Sequence, residues 1–132
     1  MAAMSEKHLS KMTAALAALS TLNGISDKDR EFADDIIRKS FESAVVYNDE
    51  VVVSREIIRS ETKRITDALP NSDIFNWVGY DPSAEKRIEE FVHLRRGWDG
   101  SKCGILLRQC REFSIIRIVY AALTTVKTVA VK

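Results

Sequence analysis

Residues 44–53 read AVVYNDEVVV, and the fold of this chain turns on how they are paired. Two β-prone runs, Val45-Val46-Tyr47 and Val51-Val52-Val53, flank the dipeptide Asn48-Asp49. Asn and Asp tolerate the left-handed backbone that a two-residue hairpin turn demands, so one reading is a hairpin. The other reading is the end of one helix, a turn, and the start of the next, with Val51, Ile58 and Ile65 on one seam. A lone four-residue hairpin would still need sheet partners. Helix-turn-helix is therefore the favoured reading.

The flanks are helical. Upstream, Ser26 and Asp29 form a variant capping box, and a helix is expected from about Asp27 to Val45. Its buried stripe is Ala33, Ile37, Phe41, Ala44 and Val45, widened by Phe32 and Ile36. Before it, Ser5 caps a first helix with Leu9, Met12, Leu16 and Leu19 on one seam, ended by Asn23-Gly24. Downstream, SREIIRSETKRITDAL places Ile57, Ile58, Ile65 and Leu69 on one side and stops at Pro70-Asn71. The segment NSDIFNWVGYDP reads as a loop or short strand, and Asp81-Pro82 opens a helix closed by Gly97. The last 28 residues contain no Gly, Pro, Asn or Asp, so one long helix is expected there. Its seam is Leu106, Cys110, Phe113, Ile116, Tyr120 and Leu123, and the β-branched residues past Thr124 leave room for a terminal strand. The expected fold is mainly α: a compact single domain over 1–132 with about five helices, and a short hairpin at 44–53 or a C-terminal strand as the β alternatives.

Net charge is only +1, which gives no field-based argument for nucleic acid or membrane. The charge is unevenly placed: residues 101–132 carry six Lys/Arg against one Asp/Glu, or +5, while residues 1–100 sum to −4. A partner for that end is thereby suggested. No run of 18 uncharged apolar residues exists, and no membrane partner is expected. The N-terminal stretch imitates a targeting peptide only faintly, because its apolar part is diluted by alanine and Glu6 sits in the charged region. Cys103 and Cys110, on one helix, lie roughly 10 Å apart along its axis, beyond disulfide reach. Reduced thiols in a cytoplasmic compartment are expected.

The chemistry-bearing residues concentrate in HLRRGWDGSKCGILLRQCR, residues 93–111. Arg95, Arg96 and Gly97 suit a helix end, and Asp99-Gly100 a turn. Lys102, Arg108 and Arg111, with Trp98 as a stacking platform, suit an anion or a nucleic-acid backbone. The segment lacks the Gly-Lys-Ser/Thr ending of a phosphate-binding loop. His93, Cys103 and Cys110 lack the paired spacing of a metal site, so no metal and no cofactor is expected. Glu61-Thr62-Lys63 has the spacing of a nuclease carboxylate–lysine pair but falls in a helical pattern of ordinary ion pairs. No catalytic set emerges.

The expected function is a non-catalytic protein-binding or assembly module. Its contacts would be the aromatics Phe75, Trp77 and Tyr80, with the basic C-terminal third orienting it on an acidic surface and Leu9 and Leu16 on the first helix for self-association. The alternative is a nucleic-acid binder using Arg95, Arg96, Trp98, Lys102, Arg108 and Arg111.

Overall fold

The structure, a computed structural model, describes residues 4–77 and 100–132, with side chains from Gly104 onward in the second stretch. The described residues form helices α1 (Glu6–Thr21), α2 (Asp27–Glu42), α3 (Arg55–Asp67), α4 (Asn71–Phe75) and α5 (Gly100–Thr124), and strands β1 (Val45–Tyr47), β2 (Glu50–Val53) and β3 (Val129–Val131). The protein is mainly helical, as expected, and the described residues add a small three-stranded sheet. The helix expected between Asp81 and Gly97 lies outside the described residues.

The decisive stretch is a hairpin, which corrects the favoured helix-turn-helix reading. Asn48 and Asp49 both take positive φ, 47° and 63°, the pair of left-handed residues that a two-residue turn requires. The partner strand comes from the far end of the chain. β2 pairs antiparallel with β1 and parallel with β3, giving the order β1-β2-β3. The Val51 N–H donates to the Thr128 carbonyl at 2.9 Å, Lys132 N–H to the Val53 carbonyl at 3.0 Å, and Arg55 N–H to the Lys132 carbonyl at 2.8 Å. Val51 and Val53 are fully buried, because each faces the helices. As a consequence α2 ends at Glu42, and Val45 is 60% exposed on β1 rather than buried on α2.

Serine caps start three helices: Ser5, Ser26 and Ser54 each accept a backbone N–H of the first turn. Arginines close two. Arg30 donates to the carbonyls of Leu19 and Leu22 at the end of α1, and Arg108 donates to Thr66 at the end of α3. The Leu19 and Thr66 carbonyls each also accept a long backbone N–H bond, from Leu22 and Leu69 at 3.3 Å, so the arginines add a charged donor to groups past the regular helical ladder. The core gathers Met12, Ala15 and Leu19 of α1, Ala33, Ile36, Ile37 and Phe41 of α2, Ile58 and Ile65 of α3, and Ile115, Ile118, Val119, Ala122 and Leu123 of α5. Buried Ser40 and Thr62 return their hydroxyls to the carbonyl four residues back, so small side chains sit at helix contacts without an unmet polar group.

Two expected seams shift. Leu9 is 43% and Phe113 53% exposed; the inward positions are Ala15 on α1, and Arg111, Ser114 and Ile115 on α5. The aromatic segment begins as the short helix α4 instead of a loop or strand, its first turn started by Pro70. Among the described residues no helix is long and apolar enough to cross a membrane.

Candidate functional site

The surface feature with the least internal explanation is the edge of the hairpin. β1 is an outer strand of the sheet, and all three of its residues are exposed: Val45 60%, Val46 46% and Tyr47 63%. The register places Val46 opposite Val51, with Val45 opposite Val52 and Tyr47 opposite Glu50. Since the Val51 N–H points away from β1 to Thr128, the main-chain groups of Val46 point the other way, to the open edge. Val45 and Tyr47 share the sheet face away from the helices with half-buried Val52, whereas Val46 lies on the core side and overhangs it. Sheet edges are ordinarily blunted by charge, proline or a bulge. β1 carries no charged residue and no proline.

One end of this edge is closed. The His8 ring donates from Nε2 to the Ala44 carbonyl at 3.1 Å, and its Nδ1 accepts from the Ser5 hydroxyl at 2.5 Å. A carbonyl only accepts, which fixes this tautomer. Lys7 pairs with Asp49 at the turn across 3.3 Å. The first turn of α1 therefore holds both ends of the hairpin and leaves the stretch centred on Val46 open.

A second cluster is chemically rich but closed. Arg111 on α5 and Asp29 on α2 form an ion pair with side chains 4% and 2% exposed. Arg111 Nε and Nη2 both reach Asp29 Oδ1, at 3.2 and 2.9 Å, and Nη1 donates to the Asp73 carbonyl at 3.2 Å. The Trp77 indole N–H donates to Asp29 Oδ2 at 3.2 Å. The guanidinium lies 5.7 Å from the Phe32 ring centre and 5.9 Å from that of Trp77, within cation–π range. Ser26, Lys28, Asp73, Asn76, Trp77 and Arg111 line an open cleft of about 370 Å³ beside it. There Lys28 bonds Asp73 at 2.9 Å and holds its carboxyl below the usual carboxylate range. The ion pairs Asp29–Arg111 and Lys28–Asp73 together clamp α2, α4 and α5.

The candidates from sequence are distributed as follows. Trp77 and Arg111, one from the aromatic set and one from the basic set, meet at Asp29 inside the chain. Arg108 is occupied by Thr66 and by Asn71 Oδ1 at 2.8 Å. Phe75 is 42% exposed at the end of α4, Leu9 43% exposed, and Leu16 half-buried against the core. Tyr80, Arg95, Arg96 and Trp98 lie outside the described residues, as does His93, and the side chains of Lys102 and Cys103 do too. Among the described residues no group of three His, Cys, Asp or Glu is arranged to hold a metal. Glu61 sits on α3, held below its usual range by Arg64 and assisted by Lys39, while Lys63 pairs with Asp67. These are ordinary helix-face ion pairs.

Sequence reasoning missed the β1 edge as a surface, because its exposure depends on β3. It also missed the Asp29–Arg111 pair. The signal for that was present: Asp29 stands four residues before Ala33 on the buried stripe, and Arg111 four after Leu107 on its own. A charge on a core-facing stripe implies a buried partner. The chain matches no protein-family model, no curated protein and no solved structure.

Proposed function

We propose that this chain is a non-catalytic protein-binding or assembly module that docks through the open β1 edge of its hairpin. One observation carries the reading: three consecutive uncharged side chains, Val45, Val46 and Tyr47, stand exposed on an edge strand whose central residue turns its main-chain donor and acceptor outward. An edge of this kind is a template for strand addition, in which main-chain bonds supply affinity and flanking side chains supply selectivity. No observation favours the nucleic-acid alternative over this reading: Arg108 and Arg111 are both bonded within the chain, and Arg95, Arg96, Trp98 and Lys102 lie outside the described side chains. The compartment proposed is cytoplasm-like, because Cys103 and Cys110 fall on α5 too far apart to bridge one another.

The test is a photo-crosslinking residue at position 47, with a matching one at exposed Arg59 on α3 as control. Covalent protein adducts at 47 and none at 59, in cells that express the chain, support the reading. Equal labelling at both positions, or none at 47, rejects it.

A further inference from the structure

Resting on that reading of the β1 edge, we infer that its occupant is a second copy of this chain, added antiparallel about a two-fold axis at Val46. The open edge is short: α1 closes the Ala44 end through His8 and the turn begins at Asn48. Val46 offers one outward donor and one outward acceptor, and a two-fold axis through it pairs each with its counterpart in the other copy. The same register sets Val45 of each copy across from Tyr47 of the other. This makes two aromatic–β-branched cross-strand pairs, a favourable combination. A free peptide gaining the same two main-chain bonds would have to lose the conformational freedom of every residue it laid down. A second hairpin arrives already ordered by its left-handed turn and by β3. Joining two such edges turns two three-stranded sheets into one of six and removes the unblunted edge from both.

The area argues for a reversible dimer. Val45, Val46 and Tyr47, at 60, 46 and 63% exposure, offer on the order of 300 Å² per copy, well under the ~800 Å² per partner of a standard stable interface. The monomer should therefore dominate at low concentration.

Sedimentation velocity of the full chain from about 10 µM to 1 mM tests this. Two variants accompany it. Val46→Pro deletes the outward N–H and also fixes φ at about −65° on an edge strand, where proline is tolerated. Tyr47→Lys charges a side chain that is already 63% exposed. The expected result is a reversible, concentration-dependent rise in sedimentation coefficient for the native chain. Tyr47→Lys should weaken it about tenfold or more and Val46→Pro should abolish it, with far-UV circular dichroism unchanged. Should Val46→Pro fail to fold, Tyr47→Lys alone carries the comparison. A native chain that stays monomeric throughout overturns the second copy as occupant and leaves the docking edge to the crosslinking test. A dimer indifferent to both variants uses another surface, overturns the second copy at this edge, and likewise leaves the docking role of β1 to the crosslinking test.

Discussion

Removing the Arg111 guanidinium should be among the most damaging single changes in the described structure. Arg111→Met keeps much of the volume but deletes three hydrogen bonds: two to Asp29 Oδ1 and one to the Asp73 carbonyl. It leaves a carboxylate that is 2% exposed with Trp77 as its remaining side-chain donor. Breaking a buried pair from one side costs about 3–5 kcal/mol, because the orphaned charge stays desolvated. Against a total stability of about 5–15 kcal/mol for a domain, that is a large fraction, and it should lower Tm by on the order of 10 °C. Asp29→Asn keeps an acceptor for the Trp77 indole while removing the charge, so the double variant Asp29→Asn/Arg111→Met should recover part of the loss. The coupling should reach about 1–2 kcal/mol or more, since the two residues share hydrogen bonds. Urea unfolding followed by circular dichroism gives all four corners of the cycle. A cost below about 1 kcal/mol for Arg111→Met, or strict additivity, would refute the clamp.

Three further outcomes follow from the same geometry. Arg108→Met should cost about 1–2 kcal/mol by urea unfolding, because the Thr66 carbonyl at the end of α3 loses a charged donor; a change indistinguishable from zero contradicts the cap. Asp49→Gly should stabilise the chain by about 0.5 kcal/mol, relieving a non-glycine residue at φ 63° while losing only an exposed ion pair; a lower denaturation midpoint contradicts it. Glu112, raised by burial and by Asp67 against the pull of Lys63 and Arg59, binds its proton more tightly folded than unfolded. Its contribution to stability therefore falls as pH rises through that raised folded value. Glu112→Gln should accordingly raise Tm at about pH 7 and make little difference at about pH 4; an advantage confined to acid reverses the sign and refutes the assignment.

The helices were legible because their signals are local. Ser5 and Ser26 cap the helices they precede, Asn23-Gly24 follows α1, and the stripe Ala33–Ile37–Phe41 points inward. The hairpin was legible only as an alternative. Asn48-Asp49 announced a turn, but the weight between two readings rested on whether β2 had a partner, and Val129–Val131 lies at the other end of the chain. Pairing across such a separation leaves no periodic trace in either segment. Arg111 and Trp77 misled for a different reason. Arginine and tryptophan are as much at home in a buried ion pair as in a binding surface, and only Asp29, brought in by the packing of α2 on α5, distinguishes the two. The exposed face of β1 was hidden by the same helix-turn-helix reading, which assigned Val45 to a buried stripe.

Amide hydrogen exchange at Val46 and Val51, read by NMR in dilute and concentrated samples, tests the central claim most directly. The two residues face each other across the hairpin, yet the Val51 N–H is bonded to Thr128 and the Val46 N–H points to the open edge. The Val51 amide should be protected at every concentration. Val46 should exchange freely at about 20 µM and be slowed at about 1 mM, as a second strand covers it. A Val46 amide already protected in dilute solution, or one that concentration never slows, would contradict the docking of a second copy on this edge.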